Sequence, residues 1–126
     1  MPKILIVDDD QDLLDMVGVL LRSEGHEVTG VTSGFEAIEY IQSIQPLDLM
    51  LLDLRMAPVD GMEVLEVARK ERPTMDVIVI SAYLDDATVQ RITELGCAGH
   101  VSKPFSLEEI LMPIQDIFAR RTWGGE

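Results

Sequence analysis

Five short, almost unbroken apolar runs punctuate the chain: ILIV at 4–7, HEVTGV at 26–31, DLMLL at 48–52, VIVI at 77–80 and GHVS at 99–102. Continuous rather than alternating apolarity marks strands covered on both faces, the condition of a parallel sheet. The longer stretches between them carry apolar residues at helical spacing. Leu13, Leu14, Val17, Leu20 and Leu21, for example, share one face of a helix that Gly25 closes. Helix starts are marked as well. Ser33-Gly34-Phe35-Glu36 and Ser106-Leu107-Glu108-Glu109 read as capping boxes, in which serine and glutamate reciprocally satisfy free backbone donors. Asp60-Gly61-Met62-Glu63 is a similar start with an acid as the cap. The pattern predicts a five-fold strand–helix alternation: an α/β fold with right-handed crossovers and helices on both faces of a parallel sheet.

Pro113 stands inside the last helical stretch, where it removes a hydrogen bond and crowds the preceding turn at a cost of ~3 kcal/mol. A kink near Met112-Pro113, or an early helix end and a restart, is expected there. Periodicity fades at the C-terminal RRTWGGE, so residues 1–121 are expected to form one domain and 122–126 a tail or the stump of a linker. A length of 126 residues suits a single domain with one real core.

Charge narrows the choice of partner. Ten basic against 23 acidic residues give a formal −13, which argues against direct binding to nucleic acid or to an anionic membrane. The single cysteine, Cys97, allows no internal disulfide and reads as a small buried hydrophobe. The first apolar run meets acid at Asp8 and so is no signal peptide, and no run is long enough to span a bilayer. A soluble, cytoplasmic protein is expected.

The chemistry lies at the carboxyl ends of the expected strands. The first delivers Asp8 and Asp9, the third Asp53, the fourth Ser81 and the fifth Lys103. In an open α/β sheet, ligands bind outside those ends. Each residue alone has a plain structural explanation: acids after a strand are commonly helix caps, a role that suits Asp10 and Asp12. Together, three carboxylates, a hydroxyl and an ammonium converging on one crevice point to a hard cation. Magnesium commonly takes one or two protein carboxylates plus water and phosphate oxygens. An aspartate in such a site can itself attack phosphorus and form an acyl phosphate, with positioning and charge neutralisation supplying most of the catalysis.

Over roughly residues 3–119 the chain resembles the receiver domains of two-component response regulators, through Asp8-Asp9, LLDLRMAPVDG, VISAY and HVSKPF in order. The resemblance implies a flavodoxin-like (βα)5 three-layer sandwich with strand order 2-1-3-4-5. It implies that Asp53 accepts a phosphoryl group from a phosphohistidine on a sensor histidine kinase or phosphotransfer protein. Asp9 and Asp53 would bind Mg²⁺ through their side chains, Arg55 through its backbone carbonyl, and Asp8 mainly through water. Ser81 would turn its hydroxyl onto the phosphoryl group, Lys103 would pair with a phosphoryl oxygen, and the Lys103-Pro104 bond would be cis. Output would pass through the face made by the fourth helix, fifth strand and fifth helix, from about Asp86 to Phe118, to an unknown partner, an effector domain or a second copy of the chain. The domain would catalyse only its own phosphorylation and dephosphorylation.

The chain departs from the family pattern in three places. Ala57 intervenes between Met56 and Pro58 in the block after the acceptor, though the Asp53-to-Gly61 spacing is kept, so an altered loop is expected. His100 stands where a switching tyrosine or phenylalanine is usual; it is smaller than either and ionisable, and serves as the switch residue or as a plain edge-strand histidine. Arg55 and Tyr83 hold the two variable positions that tune hydrolysis, and a bulky Tyr83 suggests slow dephosphorylation. A haloacid-dehalogenase-type phosphatase shares the residue types, but Gln11-Asp12 lacks the residue that motif requires. A flavodoxin-type electron carrier shares the fold, but three aspartates would repel a flavin phosphate. A degenerate receiver acting by docking alone remains the alternative within the family.

Overall fold

The computed structural model describes residues 2–124. Five parallel strands, β1 (Lys3–Val7), β2 (Glu27–Val31), β3 (Leu49–Asp53), β4 (Asp76–Ser81) and β5 (Gly99–Ser102), form one sheet in the order β2-β1-β3-β4-β5. They alternate with α1 (Gln11–Ser23), α2 (Gly34–Gln42), α3 (Gly61–Glu71), α4 (Asp86–Glu94) and α5 (Leu107–Gly124). This is the flavodoxin-like architecture expected from the sequence.

The pleat divides the strands' apolar residues between two cores. Ile4, Ile6, Leu49, Leu51, Ile78 and Ile80 face α1 and α5, whereas Leu5, Val7, Met50, Leu52, Val77 and Val79 face the side covered by α2, α3 and α4. Both faces of the central strands are therefore dry, which is why their sequences lack alternation. The helices are not equally anchored. Helix α1 buries Leu13, Leu14, Val17 and Leu21, while the only residue of α4 buried in the core is Ile92.

Caps follow the sequence closely. Asp10, Ser33, Asp60 and Asp85 each accept backbone N–H groups as N-caps. The Ser106 box is reciprocal, at 3.0 Å and 3.2 Å. The Ser33 box is half made, because the Glu36 carboxylate takes the Ser33 and Thr32 hydroxyls rather than the backbone. Gly25 (φ +91°) ends α1 with the paired bonds Gly25 N–H to Arg22 O and His26 N–H to Leu21 O, and Gly96 (φ +84°) repeats the device after α4.

Helix α5 runs as one element through Pro113, so the early end and restart considered for this stretch does not occur. Ile110, Ile114 and Ile117 are buried on the sheet along this helix. At about 1.5–3 kcal/mol each, their burial outweighs the ~3 kcal/mol cost of an internal proline. Of the expected tail at 122–126, Gly125 and Glu126 lie outside the described residues, and the helix continues to Gly124. No helix among the described residues is long and apolar enough to cross a membrane.

The amino end of the sheet is closed by a polar clamp. Arg121 of α5 donates to the Asp76 carboxylate (Nε, 3.0 Å), the Asp48 carboxylate (Nη1, 3.2 Å) and the Asp48 carbonyl (Nη2, 2.8 Å). Asp48 also accepts the Lys3 backbone N–H at 2.7 Å. One guanidinium thus ties α5 to the entries of β3 and β4, with main-chain groups completing the set.

Candidate functional site at the carboxyl ends of the strands

The sheet's carboxyl end is assembled from strand exits. Asp8 follows β1 and is fully buried; its Oδ1 accepts the Asp10 N–H at 2.9 Å and its Oδ2 accepts the Lys103 ammonium at 2.7 Å. Asp53 is the last residue of β3 and is almost fully buried; its Oδ1 accepts the Arg55 N–H at 3.0 Å and its Oδ2 lies 3.4 Å from Lys103 Nζ. Asp9 stays exposed beside them. Carboxylate oxygens of Asp8, Asp9 and Asp53 all lie within 4.8 Å of one another, placed to ligate a single cation. Lys103 follows β5, and its backbone N–H donates to the Ser81 carbonyl at 2.8 Å, which fixes the β5 exit against the β4 exit. The Lys103–Pro104 bond beyond it is cis, as expected.

Burial and charge pull on these groups in different proportions. Burial pushes the Asp8 carboxyl above the usual carboxylate range, although the bonds from Lys103 and from the Asp10 N–H oppose it. For Lys103, burial works against the ammonium, but the bond and charge of Asp8, with Asp53 behind it, outweigh burial and raise its pKa above the ordinary lysine value. Three carboxylates share one ammonium. The oxygen-only donor set, short of positive charge, fits a hard divalent cation such as Mg²⁺.

The other candidates take less expected places. Ser81, the last residue of β4, is buried, and its hydroxyl donates to the Tyr83 carbonyl at 3.4 Å. His100 is exposed on β5, paired in register with Val79. Cys97 is only partly buried rather than fully so, and burial pushes its thiol up to about 11. Two features escaped the sequence. The Arg55 guanidinium lies over the Tyr83 ring, 5.3 Å from its centre. Spacing along the chain carries no sign of it, since the two residues meet only through the register of β3 and β4. The second is the backbone under Asp53. A Cβ on Gly61 would collide with the Asp53 carbonyl and the Leu54 Cα, and one on Gly34 would stand 2.7 Å from Val59. The Asp-Gly pair at 60–61 signals a helix cap in the sequence, but close approach to another strand's exit is a tertiary fact. The Ala57–Pro58 bond, within the loop expected to be altered, is also cis.

Beside Lys103 a cleft of about 450 Å³ opens between α1 and the β5–α5 connection, lined by Asp10, Asp12 and by apolar Leu13, Met16, Pro104 and Phe105. Lys103, which also lines it, connects it to the carboxylate cluster.

Comparison with known proteins agrees with this geometry. The family model described as "Response regulator receiver domain" matches residues 4–115. Among curated proteins, the response regulator SaeR of Staphylococcus aureus (strain USA300) is 32% identical over 120 residues, covering 95% of this chain and 52% of its own length. The chain therefore spans about half the length of the curated relatives it matches. Among solved structures, a CheY-like receiver domain protein from Methanospirillum hungatei JF-1 superposes with a TM-score of 0.92 at 28% identity, covering 98% of both chains. The response regulator DrrB, a Thermotoga maritima OmpR/PhoB homologue, gives a TM-score of 0.85 at 26% identity over 96% of this chain and 54% of its own. The chain belongs to the response regulator receiver domain family of two-component signalling.

Proposed function

We propose that this domain accepts a phosphoryl group on Asp53, in a Mg²⁺-dependent reaction with a sensor histidine kinase or phosphotransfer protein, and signals through a shift of its α4–β5–α5 face. The observation that carries this reading is the cluster of Asp8, Asp9 and Asp53 around Lys103 at the exits of β1, β3 and β5. Asp9 and Asp53 would hold the metal through their carboxylates, Arg55 through its backbone carbonyl and Asp8 mainly through water. When bound, Mg²⁺ neutralises charge on the transferring group and on the carboxylates.

The chain's own residues supply the rest. An Asp53 Oδ attacks phosphorus; the new O–P bond forms as the P–N bond to the donor imidazole breaks, and the electron pair leaves with that nitrogen. The Arg55 N–H holds Asp53 Oδ1, so the carboxylate's other oxygen is the one directed toward the cluster. Lys103 would exchange a carboxylate partner for a phosphoryl oxygen, a move of one flexible side chain. Ser81 would rotate from the Tyr83 carbonyl to the phosphoryl group. The apolar cleft beside Lys103 supports docking of a protein donor there, with Leu13, Met16, Pro104 and Phe105 as its contact.

Helix α4, with Ile92 alone buried in the core, is the element most easily displaced, which supports the α4–β5–α5 face as the output surface. His100 lies on that face, and we assign it the switch position. The output target would be a partner protein, an effector domain or a second copy of this domain; the acidic surface disfavours nucleic acid and anionic membrane for the domain itself. Its catalysis would be confined to its own phosphorylation and dephosphorylation, in the cytoplasm. Arg55 and Tyr83 would tune hydrolysis, and the exposed Tyr83 ring beside the acceptor supports a long-lived phosphoryl group. Dephosphorylation timed by phosphoprotein gel tests this last point; a lifetime of seconds contradicts it.

A further inference from the structure

Arg55 and Tyr83 stand 28 positions apart, yet the fold brings them into contact at the mouth of the site. We propose that the Arg55 guanidinium stacked on the Tyr83 ring is a latch that holds the β4–α4 connection, and with it the Ser81 hydroxyl, in the unphosphorylated arrangement. The proposal rests on the phosphoacceptor reading of Asp53 and adds a regulation to it.

The contacts close a ring around the acceptor. Asp53 Oδ1 accepts the Arg55 N–H at 3.0 Å; the Arg55 guanidinium lies 5.3 Å from the Tyr83 ring centre; and the Tyr83 carbonyl accepts the Ser81 hydroxyl at 3.4 Å. The Ser81 carbonyl in turn accepts the Lys103 N–H at 2.8 Å, and Lys103 Nζ returns to Asp53 Oδ2 at 3.4 Å. A serine hydroxyl has one hydrogen to give. Ser81 therefore cannot bond a phosphoryl oxygen without leaving the Tyr83 carbonyl, and how readily residue 83 adjusts depends on what holds its side chain. Tyr83 is 58% exposed, so burial restrains it little and the guanidinium stack is a principal tether.

The same connection leads into α4. Asp85 caps that helix by accepting the Thr88 N–H at 2.8 Å. Its carboxyl is held below the usual range by the Thr88 bonds first and, more weakly, by the Arg55 charge. Tyr83 stands two residues before Asp85, so the stack holds the connection that leads into the helix that buries only Ile92. Releasing the stack frees the Ser81 hydroxyl and loosens α4 in one event.

Beryllofluoride, a phosphoryl stand-in, provides the test when titrated with Mg²⁺ and followed by amide NMR in wild type, Arg55→Gln, Tyr83→Leu, the double variant and Tyr83→Phe. Apparent affinity scales with the population of the competent arrangement, so weakening a latch tightens binding. An exposed cation–π contact corresponds to roughly a two- to fivefold change. Arg55→Gln and Tyr83→Leu are each expected to tighten binding by that factor, the double variant by no more than either single one, and Tyr83→Phe, which keeps the ring, to match wild type. Additive effects, weaker binding in either single variant, a Tyr83→Phe change equal to Tyr83→Leu, or no change in any variant would overturn the latch while leaving Asp53 as acceptor. Failure of the wild type to bind beryllofluoride would remove the acceptor reading and the latch with it.

Discussion

The two ends of the sheet each place acidic residues around one cation, and they differ in how the charge is balanced. At the amino end, Arg121 faces Asp48 and Asp76, and main-chain groups complete the network: the Lys3 N–H on Asp48 and the Asp48 carbonyl on Arg121. All of these groups are at least partly exposed, so water completes what the protein does not. At the carboxyl end, Lys103 faces Asp8 and Asp53, both nearly free of solvent contact, with Asp9 beside them. The first arrangement is complete as it stands. The second carries two more negative charges than positive ones, an imbalance that the proposed binding of a cation would relieve.

Breaking the comparison at the backbone should have the largest effect. Gly61→Ala drives a Cβ into the Asp53 carbonyl and the Leu54 Cα, a collision with main-chain atoms that no rotamer relieves. Destabilisation of about 3 kcal/mol is expected in urea unfolding; a change under 1 kcal/mol would mean that the two exits are not rigidly packed. Arg121→Met tests the other end. Breaking a buried ion pair costs about 3–5 kcal/mol, and with 36% side-chain exposure here the expected loss is about 2 kcal/mol. Phosphoryl uptake should survive that change.

Adding Mg²⁺ sharpens the contrast. At ten times its dissociation constant the cation should stabilise the wild type by about 1.4 kcal/mol, and Arg121→Met equally. Asp9→Asn should lose most of that gain. A calorimetric scan with and without the ion checks both. Asp53→Asn, with no metal present, should by contrast stabilise the fold by about 1 kcal/mol through relief of like-charge repulsion. A loss of stability would mean that Lys103 already balances the cluster.

The smallest effect lies away from both ends. His26 packs against the Phe118 ring at 5.2 Å, and its Nδ1 is buried without a partner. Burial lowers its pKa below the ordinary 6.5, with Glu24 opposing. A group with a depressed folded pKa contributes stability above its unfolded value and loses it as pH falls through the folded one. Stability should therefore drop modestly as pH falls below 6.5, and His26→Phe should flatten that slope.

The central strands are legible in the sequence because burial on both faces writes itself as nearly unbroken apolar runs, and ILIV, DLMLL and VIVI sit within a residue of the observed elements. The cluster of Asp8, Asp9, Asp53 and Lys103 is legible for a related reason: a parallel sheet brings every strand exit to one edge, so position after an apolar run implies convergence. What is not legible depends on register and side-chain direction. The Ser81 hydroxyl points to the Tyr83 carbonyl, Arg55 meets Tyr83, and Arg121 reaches Asp48 and Asp76, none of which leaves a mark on local spacing. The continuity of α5 through Pro113 was equally hidden, because it depends on how deeply Ile110, Ile114 and Ile117 are buried.

The most direct measurement is intact mass after incubation with Mg²⁺ and a small phosphoryl donor such as acetyl phosphate, with Asp53→Asn in parallel. One phosphoryl group on the wild type and none on the variant is the expected result. Equal uptake by both would place the acceptor elsewhere, and no uptake by either, with Mg²⁺ binding intact, would contradict Asp53 as a phosphoryl acceptor from small donors.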